Sequence, residues 1–173
     1  MERNYSKSTM EFVANLHVGI RVETGVLAAT SYLLTGPTQS EMFNVYGRIK
    51  ILQLFMEAIT VLGDQATVMK FTFDSNTPAL AVQNLSGVGG ALNLLAQGLR
   101  QVHIGGAVVS TPVLTATAGI SDILCVAPQI VGCVGGVGTI GINTATASMT
   151  SGTVQFVLCY APMSDGAYAE AIH

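Results

Sequence analysis

Apolar and polar residues alternate with a period of two along much of this chain, which is the signature of extended backbone. Residues 10 to 18 set Phe12, Ala14, Leu16 and Val18 against Glu11, Val13, Asn15 and His17. Gly19 interrupts, and Ile20 to Glu23 continues as far as Thr24-Gly25. Residues Val26 to Thr35 make a second extended stretch, closed by the turn pair Gly36-Pro37. Arg48 to Leu62 is apolar on both faces and predicts a central strand covered on two sides. Ile49, Leu52, Phe55 or Met56, and Ile59 also fall at helical spacing, so a helix there stays open. Gly63-Asp64-Gln65 is turn chemistry, and Ala66 to Asp74 then sets Thr67, Met69, Phe71 and Phe73 opposite Val68, Lys70 and Thr72. Strand, short turn and strand predict a hairpin.

Asp74-Ser75-Asn76-Thr77-Pro78 predicts a loop, and Leu80, Val82 and Leu85 a short strand. Gly87-Val88-Gly89-Gly90 breaks the chain, and Ala91 to Ala96 suits a strand or one helical turn. Further short strands are expected at 102–109, 113–118, 123–126, 130–134 and 139–146. Thr150-Ser151-Gly152 turns into a last strand, Thr153 to Ala161, with Val154, Phe156, Leu158 and Tyr160 on one face; Pro162 ends it. Roughly nine to eleven strands and no long helix predict an all-β fold, a β-sandwich or barrel. Residues 1–9 read as a flexible polar arm that reaches a neighbour, and 10–173 as a single β-sandwich domain.

Charge changes the picture. Only 10% of the 173 residues are charged, against about 25% in ordinary globular chains. No Lys or Arg follows Arg100, and the remainder carries only Asp122, Asp165 and Glu170. A monomer of this mass exposes roughly 8,000 Å², or about one charge per 470 Å². Such a surface calls for a cover of lipid, sister copies or the shell of a larger assembly. The net charge of −3 and the lack of a Lys/Arg cluster argue against nucleic acid. Arg48 and Lys50 read as a solvated strand edge. The N-terminus has no apolar run of the secretory kind. Ile123 to Ile142 is uncharged and long enough to span a bilayer as a helix, with Gly132 and Gly136 at a helix-pairing spacing. Pro128, Gln129, three more glycines (Gly135, Gly138, Gly141) and a Val/Ile/Thr composition favour strands instead.

Candidate chemistry is sparse. Cys125, Cys133 and Cys159 form no even framework and no Cys-x-x-Cys pair, and read as small buried hydrophobes. His17, His103 and His173 are scattered away from the cysteines, against zinc; His17 and His103 read as strand-surface or interface residues. Asp64 and Asp74 flank one predicted hairpin arm and suit solvated loops better than a calcium site. Gly87-Val88-Gly89-Gly90 and Gly135-Gly136-Val137-Gly138 lack the Gly-Lys-Ser/Thr ending of a phosphate loop and read as turns or close contacts. No catalytic, cofactor or metal residues are assigned; an interaction protein is expected, not an enzyme.

Three segments carry a resemblance. They are Met42-Phe43-Asn44-Val45-Tyr46-Gly47-Arg48-Ile49-Lys50-Ile51 running into Gly63-Asp64-Gln65-Ala66-Thr67-Val68-Met69-Lys70-Phe71, then a final hairpin, Met149-Thr150-Ser151-Gly152-Thr153-Val154-Gln155-Phe156, and the ending Leu158 to Ala167. With them, residues 8–168 resemble the small all-β virion proteins of tailed bacteriophages, particularly capsid decoration (cement) proteins. The resemblance implies a jelly-roll subunit made in the host cytoplasm. It would form homotrimers on the capsid surface and tie neighbouring capsomers of the major capsid protein together. It implies no active site, cofactor, small-molecule substrate, nucleic acid or membrane. The apolar 102–142 stretch departs from the pattern and leaves open which face meets the capsid. A tail, neck or fibre-attachment component, and a receptor- or carbohydrate-binding β-domain, stay as alternatives; the absence of Trp counts against stacked-ring sugar binding.

Overall fold

The computed structural model of the chain describes residues 19–36, 39–103, 113–114 and 128–173. The expected arm at 1–9, the alternation at 10–18 and the strand at 123–126 lie outside them, as do most of the 102–109 and 113–118 stretches. Twelve strands and one short helix are present among the described residues. The first sheet contains β1 (Ile20–Glu23), β2 (Leu27–Ala28), β4 (Ile49–Ala58), β7 (Arg100–His103), β8 (Val113–Leu114), β9 (Ile130–Val131) and β11 (Thr153–Pro162). Its order is β1-β11-β4-β7-β8, with β2 also on β11 and β9 also on β4. The second sheet runs β12 (Tyr168–Ala171), β3 (Ser40–Tyr46), β10 (Val137–Ala145), β5 (Val68–Thr77) and β6 (Gln83–Asn84). All strand pairs are antiparallel. The two sheets pack as a β-sandwich-like pair and not as a closed barrel.

Alternation explains the core. Val154, Phe156, Leu158 and Tyr160 of β11 face inward, as their period requires, and meet Phe43 and Val45 of β3, Phe71 of β5, and Ile140 and Ile142 of β10. The Tyr160 hydroxyl accepts the Ala169 N–H at 2.9 Å, joining β11 of one sheet to β12 of the other. On the outer face of the first sheet, Phe55, Val102 and Val157 form a second buried cluster. Arg100 lies 4.6 Å from the Phe55 ring centroid and pairs with Glu57 at 2.7 Å. The expectation that 48–62 holds a strand buried on both faces therefore stands, with β4 at the centre of its sheet.

A bulge explains the helical spacing in the same segment. Tyr160 pairs with Ile51 and Cys159 with Gln53, so Leu52 is an extra residue on β4. Ile49 and Ile51 precede it, Leu54, Met56 and Ala58 follow it, and all five reach the core. The three-residue step from Ile51 to Leu54 imitates a helical face.

Several expectations are corrected. The predicted hairpin of 48–62 with 66–74 does not form, because β4 and β5 belong to different sheets. Residues 59–67 cross between the layers, where the Leu62 N–H bonds Leu95 and the Gly63 N–H bonds Ser151. The segment named as a final hairpin likewise passes from β10 in the second sheet to β11 in the first. Val26 to Thr35 is extended only at β2 and then turns through a helix, α1 (Ala29–Tyr32). Asp74 to Thr77 is not a loop but the end of β5. The strand expected around Leu80, Val82 and Leu85 shrinks to Gln83–Asn84, and Ala91 to Ala96 is irregular. Strand β12, beyond Pro162, was not expected. No described helix is long and apolar enough to cross a membrane.

Candidate functional site

A recess of about 340 Å³ opens where the far end of the β5–β6 pair faces β9. Phe73, Leu85 and Val131 are its buried apolar lining, and Leu80 and Ile130 are exposed at 57% and 50%. Gln83, Asn84, Ser75 and Gln129 add amide and hydroxyl groups; none of the described lining residues is charged. Val82 and Val134, next in the chain to the lining residues Gln83 and Cys133, are exposed at 50% and 72%.

Local structure builds this lining. Pairing of β9 with β4 places Val131 beside Ile49 and Ile130 beside Lys50. The turn after β9 depends on Gly132, whose φ of +80° suits glycine and whose missing side chain lets the Gly47 carbonyl approach. Gln129 donates to the Leu85 carbonyl at 3.1 Å and meets His103 Nε2 at 3.2 Å, so the recess connects to a fully buried imidazole. Burial pushes the His103 pKa down, partly offset by the Gln129 contact. The Cys133 thiol donates to the Thr77 carbonyl at 3.2 Å.

Sequence reasoning placed His103 on a strand surface or at an interface; it is in the core instead. The register of β7 on β4 pairs His103 with Leu54 and Gln101 with Met56, so both polar side chains face inward. The Gln101 amide lies against Gly89, where a side chain would overlap it. Cys133 and Cys159 are free and half-buried rather than fully buried, and burial raises the Cys159 pKa. Cys125 and His17 lie outside the described residues. Asp64 sits in the 59–67 crossing and Asp74 within β5, and among the described residues no three potential metal ligands gather. Gly135 turns with φ +69°, and Gly136 packs against the Thr77 carbonyl, as a turn and close-contact reading requires.

A second cluster, unforeseen from the sequence, lies at the outer edge of the second sheet. The rings of Tyr46 and Tyr168 stack at 4.5 Å with planes 16° apart. Glu170 accepts from the Tyr46 hydroxyl at 3.0 Å and from Asn44 at 3.4 Å. That bond to Glu170 is the main cause raising the Tyr46 pKa. None of the four was read as part of a predicted strand, and their meeting depends on β12 pairing with β3.

The two places suit binding by contact and hydrogen bonding. Comparison with protein-family profiles, curated proteins and solved structures gave no match.

Proposed function

We propose that this chain is a virion structural protein, a capsid decoration subunit of the tailed-phage kind with jelly-roll connectivity. It assembles as a homotrimer and bridges neighbouring capsomers of the major capsid protein. The observation that supports this reading is the uncharged recess and its rim, where Leu80, Val82, Ile130 and Val134 are each at least half exposed. Large apolar side chains gathered at one place mark a surface meant to be covered. Its burial contributes about 25 cal/mol per Å², and attachment through three copies multiplies the gain by avidity.

Sedimentation at micromolar concentration tests the reading. We expect a trimer that persists at high salt, because burial of apolar surface is not screened as ionic contacts are. The double variant Ile130→Asp/Val134→Asp is expected to bind decoration-stripped capsids at least about tenfold more weakly, a loss of about 1.4 kcal/mol. A stable monomer that leaves such capsids bare would refute the assignment.

A further inference from the structure

The stacked tyrosines at the edge of the second sheet have no part in the assembly reading, and a role for them stands or falls independently of it. Stacking on Tyr46 occupies one face of the Tyr168 ring, yet the residue remains 46% exposed. Beside the rings, two donors fix the Glu170 carboxylate: the Tyr46 hydroxyl at 3.0 Å and the Asn44 amide at 3.4 Å. A carboxylate accepts up to about four hydrogen bonds, so it has capacity for further O–H donors. The cross-strand row continues from Glu170 and Asn44 through Thr139 to Asp74, ending in a carboxylate on each side and holding no cation. Three strand spacings separate its ends, about 14 Å.

We propose that Tyr168, Tyr46, Glu170 and Asn44 form a binding subsite for a neutral pyranose unit of an oligosaccharide. An open aromatic face takes the C–H side of a sugar ring, which is apolar and flat on the same scale. A pre-set carboxylate and amide take its hydroxyls, and a ligand group that meets fixed partners forfeits less ordering entropy. The Glu170 carboxylate beside the rings opposes an anionic saccharide and is matched by the O–H donors of a neutral one. Cross-strand stacking alone would account for the pairing of β12 with β3, so the test must separate ring recognition from strand support.

The full chain, labelled with ¹⁵N, is titrated with hexasaccharides of maltose, cellulose, laminarin, mannan and chitin type, and with polygalacturonate as the acidic comparison. We expect at least one neutral hexasaccharide to bind saturably with Kd below about 1 mM, shifting the amide signals of Val45, Ala169 and Glu170. Tyr168→Phe should stay within about twofold of the parent, whereas Tyr168→Leu and Glu170→Gln should each weaken binding about tenfold or more. If Tyr168→Leu disturbs folding, Glu170→Gln decides, since its shape and strand position are kept. Silence of all neutral sugars at about 10 mM, binding of polygalacturonate alone, or unchanged affinity in Glu170→Gln would overturn the proposal.

Discussion

His103 is the residue at which pH and folding meet. Its buried imidazole has a lowered pKa in the folded chain, with desolvation the cause, while an unfolded imidazole titrates near pH 6.5. Above that value both states are neutral and the residue adds no pH dependence. As pH falls below it the unfolded chain takes up a proton that the folded chain refuses, so stability declines by up to about 1.4 kcal/mol per pH unit. Urea unfolding between pH 7 and pH 5 should show this slope, and His103→Gln should flatten it. A second prediction concerns Tyr160, whose hydroxyl accepts the Ala169 N–H across the layers. Tyr160→Phe leaves that buried N–H without its partner and is expected to cost about 1–3 kcal/mol. An unchanged urea midpoint would mean that the bond contributes nothing. Neither role was legible in sequence, because inward placement of His103 follows from the β7–β4 register and the Tyr160 bond from β12, a strand beyond the apparent end of the fold.

At the scale of elements, legibility followed regularity. Strand β11 alternates without interruption, and its inward set of Val154, Phe156, Leu158 and Tyr160 was readable from the sequence. Strand β4 was readable as a strand, but the bulge at Leu52 disguised it as half a helix. Removing Leu52 would join Ile51 directly to Gln53 and turn Ile49 and Ile51 away from the core, because a one-residue slip exchanges the faces of a strand. We expect the Leu52 deletion to abolish cooperative thermal unfolding, whereas Leu52→Ala, which keeps the count, should retain it. Turn chemistry at Gly63-Asp64-Gln65 marked a break between strands, but that break is a crossing between sheets and not the expected hairpin turn. Such residues report that the chain bends, not whether it returns to its own sheet or crosses to the facing one. The Tyr46–Tyr168 stack was hidden for a related reason, since only the pairing of β3 with β12 makes those positions neighbours.

For the whole molecule, period-two alternation spoke to the all-β class, while the low charge only set up the expectation of a covered surface without saying where it would lie. The charges seen on the first sheet's outer face are partly internal in purpose, since Arg100 caps Phe55 and pairs with Glu57. The exposed apolar side chains at the recess come from segments around Leu80 and Ile130 that are distant in sequence, which is why no sequence window marked them. The prediction of a salt-resistant trimer belongs at this scale: it follows from the uncharged lining of the recess rather than from any one contact.

Strand β4, laid down early in the chain, finds its longest partner in β11, close to the C-terminal end. While a ribosome is still elongating the polypeptide towards β11, β4 has one backbone edge open, with β7 pairing only the other. Non-local pairing of this sort is slow and leaves the nascent product prone to clumping. Productive pairing of β4 thus waits until β11 has been made, and cells making the protein quickly should gain soluble yield from cooler growth or extra chaperone.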